Sequence, residues 1–580
     1  MPVARAGNIS ERAVPPDGPD DWPRPRLDKE RMAQLHGGQI VARALANEGV
    51  QFVFTLCGGH IMSIYDGCID HGIRVIDVRH EQTAAHAADG WGRVTGQPGV
   101  AIVTAGPGLT DAVTGVATAH RAKAPMVIIG GQAPRAFQDM GGLQDMNHVE
   151  LMRPITKWAV AVPDSRRLGE YVSTAFRIAT TNVPGPVFLE MPLDFLFDQV
   201  EEERCVFPTK YRTSAGIAAD PDYIDRAVEL LRKCERPVCL VGSQYWWSRR
   251  REAYLPFLET FGMPTFVNGM ARGSIPPGHP YGMTLARKDA LKRADLVLIF
   301  GTPLDFRLGY GRPSHIAADA KLVQVDLDGS EIGRNRAIEV GIIGDTGMVM
   351  EQMTAVAKRS GFQKDLYKSW TDDIRRIDQE KRASHAGEME SNAEPINPVR
   401  ACAEIDKILD DDAIVIGDGG DFVGTAANVL RIRKPGHWLD AGPLGTLGAG
   451  PGFAMAAKLA RPKSNVIIVY GDGSFGLHGF EFEAMSRQKI DVVGIIGNDA
   501  AWQQIKRGQV QLYGPDRAIA CGLDYTRYDL AVEAMGCHGE WVEKPADLRP
   551  ALDRALRAGK PAVVNVKIGS SEFRKDAISV

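Results

Sequence analysis

The stretch Val466-Ile-Ile-Val-Tyr-Gly-Asp-Gly-Ser474, followed after a helix-length interval by Val492-Val-Gly-Ile-Ile-Gly-Asn498, decides how this chain folds. Two short apolar runs, each ending in glycine and a polar residue, read as neighbouring parallel strands. Their carboxyl ends deliver Asp472 and Asn498 to the edge of a sheet where α/β proteins hold their ligands. An Asp and an Asn with glycines beside them make an oxygen-rich site for a divalent metal carrying a diphosphate. Twenty-four residues lie between Gly473 and Asn498, room for a loop, a helix over 479–488 and a return strand over 492–496. An Asp flanked by glycines after a buried strand is common in any doubly wound sheet, so a second signal has to decide.

That signal lies far upstream, in Val75-Ile-Asp-Val-Arg-His-Glu-Gln82 and the Ala-rich run that follows. A Glu where a buried strand meets an apolar helix is disfavoured in its charged form. By itself Glu81 could be a helix-start residue placed by the helix dipole. Together with the Asp472…Asn498 spacing it resembles the signature of thiamine diphosphate enzymes. In that family a protonated Glu hydrogen-bonds the aminopyrimidine ring and helps form the reactive ylide, while the cofactor carries the organic chemistry.

The composition bounds the rest. At 580 residues the chain has room for about three to four domains. Its 44% apolar and 24% charged residues are those of an ordinary soluble protein. A net charge of -4 gives no reason to expect nucleic acid or an anionic membrane as partner. No run reaches the length of a membrane span and the N-terminus is no signal peptide, so a cytoplasmic protein is expected. Eight cysteines without a C-x-x-C pair read as free thiols rather than a zinc or disulfide framework.

Short apolar strands separated by helix-length segments recur along the chain, which means α/β architecture with three doubly wound parallel-sheet domains. The expected divisions are a flexible N-terminal arm over 1–36, a first domain over 37–200, a middle domain over 215–362, a charged helical linker over 363–394, a third domain over 395–569 and a tail over 570–580. Val100-Ala-Ile-Val with its Gly-Pro-Gly loop and Met126-Val-Ile-Ile echoes Val466-Ile-Ile-Val with its Gly-Asp-Gly loop and Val492-Val. The strand starts are 26 residues apart in both, which implies two domains of one topology.

The ordered chain is similar to the acetolactate synthase-like branch of thiamine diphosphate enzymes, and within it to the 2-hydroxyacyl-CoA lyases. The matching segments include Phe54-Thr-Leu-Cys-Gly-Gly-His60, Arg79-His-Glu-Gln82, Gly142-Leu-Gln144, Asp305-Phe-Arg-Leu-Gly-Tyr-Gly-Arg312, Gly442-Pro-Leu-Gly-Thr-Leu-Gly448, Gly497-Asn-Asp-Ala500 and the tail from Phe573 to Val580. The resemblance implies a pyrimidine-binding, a Rossmann-like middle and a diphosphate-binding domain. It also implies an active site between two chains, Glu81 of one meeting Asp472 and Asn498 of the other, hence a homo-oligomer, a dimer of dimers.

Carried over by position, Asp472, Asn498 and the Ala500 carbonyl would ligate Mg²⁺. Gly471, Gly473 and Ser474 would present backbone amides to the diphosphate, and Gly445, Thr446 and Leu447 would support the cofactor. Leu447 stands where many relatives have Met, a replacement of similar volume. Gly58, Gly59 and His60 would face the reacting end, with His60 as proton donor or oxyanion partner; after two glycines it reads equally as a turn residue. Gln144 would point at the bound intermediate, and Trp502 would wall the pocket or belong to the core. In the middle domain Gly242-Ser243, Gly301-Thr302, Asp326 and Gly344-Asp345 stand at strand ends suited to an adenine nucleotide, ADP or FAD, although no G-x-G-x-x-G fingerprint is present.

The implied reaction is cleavage of a 2-hydroxyacyl-CoA to an aldehyde or ketone and formyl-CoA. The alternative is a 2-keto acid decarboxylase or carboligase of the acetolactate synthase type. Phe573-Arg-Lys575 in the tail offers cations to coenzyme A phosphates and could close over them as a lid, which favours the lyase. A scaffold without activity is a third reading, opposed by the intact Glu81, Asp472 and Asn498.

Overall fold

The computed structural model describes residues 34–569 and Phe573. The expected arm and tail fall outside these residues, apart from Gln34–His36 and Phe573. Gln34–His36 is a strand paired antiparallel with Gln199–Glu201, so the last residues of the expected arm belong to the first domain. Leu35 buries its side chain in that core. His36 caps helix Gly37–Asn47 in a reciprocal box with Gln39.

The first domain is a six-stranded parallel sheet in the spatial order Arg74–Asp77, Phe52–Thr55, Gly99–Val103, Met126–Gln132, Pro186–Pro192, Trp158–Ala161. The third domain orders Trp438–Asp440, Ile414–Asp418, Val466–Gly471, Val493–Asn498, Ala562–Lys567 and His538–Val542 in the same way. In chain order both run second, first, third, fourth, sixth, fifth. The echo seen in the sequence is thus two copies of one topology. The edge strands Trp158–Ala161, Trp438–Asp440 and His538–Val542 were not legible, because short strands with mixed burial carry little apolar pattern.

The middle domain is a five-stranded parallel sheet, Thr265–Val267, Pro237–Val241, Leu296–Phe300, Lys321–Asp326 and Val340–Ile343. The charged linker contains helix Lys368–Ser384, which buries Trp370 and Ile374 in the middle-domain core. Asp378 on that helix receives the backbone N–H groups of Thr284, Leu285 and Ala286, so the linker is docked along the middle domain.

First and third domains share one core within the chain. Helix Glu81–Thr95 crosses helix Gly450–Ala460 at small residues: a Cβ on Gly452 would lie 2.7 Å from the Thr83 carbonyl oxygen. That close crossing fixes Glu81's helix against the third domain.

Candidate active site

In the third domain, register places Gly471 opposite Gly497 on adjacent parallel strands, so Asp472 and Asn498 emerge side by side. Both are buried. Asp472 Oδ1 receives the Gly473 N–H at 2.8 Å and Oδ2 that of Ala501 at 3.2 Å. Asn498 donates from Nδ2 to the Thr526 carbonyl and to Asn565 Oδ1, both at 3.2 Å. That leaves its oxygen facing the turn, where the Ala500 N–H donates to it at 3.2 Å. Ala500 has φ +53°, a left-handed conformation that costs an alanine about 1 kcal/mol and gathers at functional sites.

The loop expected after Gly473 is instead helix Asp472–His478, ahead of helix Glu481–Gln488. Gly473 and Gly476 hid it, since glycine is a poor helix former. Trp502 lies over this turn: a Cβ on Gly473 would come within 2.5 Å of its ring. Position 473 therefore excludes a side chain, and Trp502 is a wall of the turn.

Sequence reading missed Asp418. It ends strand Ile414–Asp418, is buried, and receives the N–H groups of Gly448 at 2.9 Å and Gly450 at 2.7 Å as well as the Ser474 hydroxyl. One carboxylate thus ties the segment carrying Gly445, Thr446 and Leu447 to the helix that starts at Asp472. Its signal was present, a Gly-Asp-Gly after an apolar run, the same pattern as at Asp472.

The turn suits a divalent cation. Burial pushes the Asp472 carboxyl up to about 6. Burial first, then the charges of Asp472 and Asp421, push Asp499 up to about 8. Among the described residues no three His, Cys, Asp or Glu side chains form a metal cage. A Mg²⁺ here would draw on one carboxylate, one carboxamide and a backbone carbonyl, with diphosphate oxygens completing its shell.

In the first domain Glu81 is the first residue of its helix, but the cap is His80, whose ring accepts from the Gln82 N–H at 3.1 Å. Glu81 is therefore free of capping duty. Its carboxyl is buried and stands against Gly108, whose Cβ position is 3.4 Å from Oε1. Burial, with a smaller push from Asp111, raises its pKa above the ordinary carboxylate range.

His60 sits in the turn Gly59–Ile61, buried, with Nδ1 3.1 Å from Thr104 Oγ1. Burial first and then His148 lower its pKa, which favours the neutral imidazole, while a hydrogen bond to the Leu143 carbonyl opposes that shift. A Cβ on Gly58 would fall 2.3 Å from Thr104 Cβ, whereas Gly59 faces open space. Gln144, with φ +61°, backs onto Gly106. Residues 104–108 thus touch Gly58, His60, Glu81 and Gln144 together. Within the chain no hydrogen bond or ion pair among the described residues joins Glu81 to the Asp472–Asn498 turn; the two groups lie in different domains.

A cavity of about 900 Å³ opens between the carboxyl ends of the middle strands, Gly419 and Gly420, and Gly445 and Thr446. Arg272, Arg287, Arg307 and Lys123 line it together with Asp305, Asp328 and Glu331, with which Arg307 and Lys123 pair, and burial lowers the pKa of Arg272 to about 10. Buried Trp247 Nε1 and Asn268 Oδ1 are without partners among the described residues. Two residues expected at a nucleotide are committed within the protein. Asp326 accepts from Gln244 Nε2 at 2.8 Å, and Asp345 caps helix Thr346–Arg359 and bonds Ser248.

Comparison with known proteins identifies the family. Three family models match: the thiamine pyrophosphate enzyme N-terminal TPP binding domain over 35–151, the central domain over 224–353 and the C-terminal TPP binding domain over 418–566. The chain belongs to the thiamine pyrophosphate enzymes. "Probable acetolactate synthase" of Mycobacterium bovis is 39% identical over 92% of this chain and 95% of its own length. "2-hydroxyacyl-CoA lyase 2" of Danio rerio is 38% identical over 95% and 94%, and that of Homo sapiens 36% over 95% and 93%. The thiamine pyrophosphate enzyme described here is thus of the acetolactate synthase and 2-hydroxyacyl-CoA lyase branch.

For this thiamine pyrophosphate enzyme Asp418 yields a direct expectation. Asp418→Ala strips three buried donors of their acceptor, each worth about 1–3 kcal/mol, and frees the 445–447 segment. The dissociation constant for thiamine pyrophosphate, measured by calorimetry, should rise about tenfold or more; an unchanged constant would show that the anchor is irrelevant to cofactor binding.

Proposed function

We propose that this thiamine diphosphate enzyme is a Mg²⁺-dependent 2-hydroxyacyl-CoA lyase, cleaving its substrate reversibly to an aldehyde or ketone and formyl-CoA. The observation that supports a nucleotide-bearing substrate is the arginine-lined cavity reaching from the middle domain to Gly445 and Thr446. Its arginines and orphaned polar atoms suit a nucleotide diphosphate, either the adenine end of coenzyme A or a resident ADP or FAD. Relatives named 2-hydroxyacyl-CoA lyase 2 support the same reading.

When bound, thiamine diphosphate supplies a carbon nucleophile and an electron sink for breaking the bond beside a carbonyl. Asp472, Asn498 and the Ala500 carbonyl would hold the metal, and Glu81 would keep a proton at the aminopyrimidine. His60 and the Gln144 amide would orient the substrate carbonyl and hydroxyl, and Trp502 would exclude water from the metal turn. Purified protein with cofactor and Mg²⁺ is given a 2-hydroxyacyl-CoA or pyruvate in separate reactions. Formyl-CoA from the thioester supports the lyase; acetolactate or carbon dioxide from pyruvate moves the protein to the second reading, which the 39% identical relative favours.

We also propose a cytoplasmic dimer of dimers in which each site combines half-sites of two chains. Leu143 and Met140 beside Gln144, and Leu477 and Phe480 after the Asp472 turn, are exposed at 80%, 73%, 52% and 74%, which suits cover by a second copy. Glu81→Gln and Asp472→Ala chains, each inactive alone, should regain about a quarter of wild-type activity after equal mixing and subunit exchange, since half the dimers then hold one intact site of two. No recovery in exchanged dimers would place each site within one chain.

A further inference from the structure

Gly58, His60, Glu81 and Gln144 all rest on residues 104–108, so whatever holds that segment sets the distances between them. Its sharpest point is Gly106, with φ +60° and ψ -114°, a backbone region that residues with side chains avoid. A Cβ there would also fall 2.9 Å from Gln144 Cβ.

One buried imidazole holds this turn. The Gly106 N–H donates to His148 Nε2 at 2.8 Å. His148 is fully buried, at the start of helix His148–Met152. Because Nε2 accepts, the ring proton stands on Nδ1, which donates to Glu190 Oε2 at 2.9 Å.

Gln132 completes the set: its amide hydrogens go to the Met146 carbonyl at 2.9 Å and Glu190 Oε2 at 3.2 Å, and its oxygen receives the Ala133 N–H at 2.8 Å. Both hydrogens being spent, its 3.2 Å approach to His148 Nδ1 is packing rather than a competing bond. Glu190 and Gln132 come from neighbouring strands with Gly130 opposite Glu190, so the carboxylate is anchored in the sheet. A rigid line therefore runs from sheet to Glu190 to His148 to the Gly106 turn, and from there to Gln144 on one side and Glu81 on the other.

We infer that His148 and Glu190 are positioning residues that set the Gly106 turn and, through it, the placement of Glu81, His60 and Gln144 around the reacting end of the cofactor. Both are buried behind the Gly106 turn. Displacement of a reacting group by 1 Å costs about a hundredfold in rate, so loosening this turn should slow proton removal from the cofactor more than it weakens binding. A network serving stability alone would lower the melting temperature and leave that rate untouched.

The inference rests on Glu81 meeting the aminopyrimidine, and holds for either substrate reading. The holoenzyme is assayed without substrate: deuterium exchange at the thiazolium carbon of bound thiamine diphosphate, with the cofactor dissociation constant and melting temperature alongside. His148→Leu should slow exchange about tenfold or more while the dissociation constant moves by less than about threefold. His148→Gln, which can accept from Gly106 and donate to Glu190, should return exchange to within about threefold of wild type.

Wild-type exchange in folded His148→Leu, or exchange in His148→Gln as slow as in His148→Leu, overturns the inference. Should His148→Leu not fold, Glu190→Gln decides: exchange slowed about threefold or more at unchanged cofactor affinity is expected, and a wild-type rate overturns. Glu81→Gln separates the two levels. Wild-type exchange in that variant removes the role of Glu81 and this inference with it; slow exchange there, with wild-type rates in the other variants, removes this inference alone.

Discussion

Glu81→Gln is expected to fold and to bind thiamine diphosphate and Mg²⁺ as the wild type does, yet to lose about 10²–10⁴ of its turnover. The carboxamide matches the carboxyl in shape and fits beside Gly108. Burial raises the pKa of the native carboxyl and so favours its neutral form, and a neutral amide suits the same surroundings. What the amide lacks is a proton to hold at the aminopyrimidine and to recover. Steady-state kinetics at saturating cofactor checks this, and turnover near wild type would end the assignment. A pH corollary follows. Since the pKa is raised, the protonated form persists above the ordinary carboxylate range, and turnover should fall as pH rises through that raised value; this alkaline limb should be absent from the residual activity of Glu81→Gln.

The second large effect is at Asp472. Asp472→Asn should lose metal-dependent cofactor binding, since a charged oxygen ligand is replaced in a set of three protein donors. Thermal melting separates that loss from damage to the fold. A ligand that binds the native state at a hundred times its dissociation constant stabilises it by about 2.7 kcal/mol, so wild type should melt higher with Mg²⁺ and thiamine diphosphate while Asp472→Asn should not respond. Without ligands the sign reverses. A carboxyl whose folded pKa is raised to about 6 contributes stability below the ordinary carboxylate range and loses it as pH rises through that value. At neutral pH the ligand-free Asp472→Asn should therefore melt no lower than wild type. An equal cofactor-induced shift in both proteins would place the metal elsewhere.

These two residues were legible because their signals are local. Asn498 closes an apolar strand and Asp472 directly follows one, and the parallel register that pairs them follows from strand–helix–strand spacing. Glu81 was legible as a Glu where strand becomes helix. Asp418 carries the same local pattern as Asp472 and was passed over, since its meaning lies in the Gly448, Gly450 and Ser474 donors it gathers. His148 shows no pattern at all: a His among polar loop residues, whose partners Gly106 and Glu190 are each 42 positions away. The strand Gln34–His36 escaped notice because one buried Leu and one capping His are too little signal to mark an element against a charged, proline-rich approach.

The sequence by itself determined three parallel α/β domains, the repetition of one topology in the first and third, and the identity of the residues at the ends of their buried strands. Strand alternation, glycine and chain spacing are properties of neighbours, and they are enough to say where a strand ends and which side chain leaves it. Only the tertiary structure decided that residues 104–108 bear on Gly58, His60, Glu81 and Gln144 at once, that Asp418 binds the cofactor loop to the Asp472 helix, and that an arginine-lined cavity spans the middle and third domains. Those facts depend on hydrogen bonds and packing between segments tens to hundreds of residues apart, where each side chain's direction is set by the whole core around it.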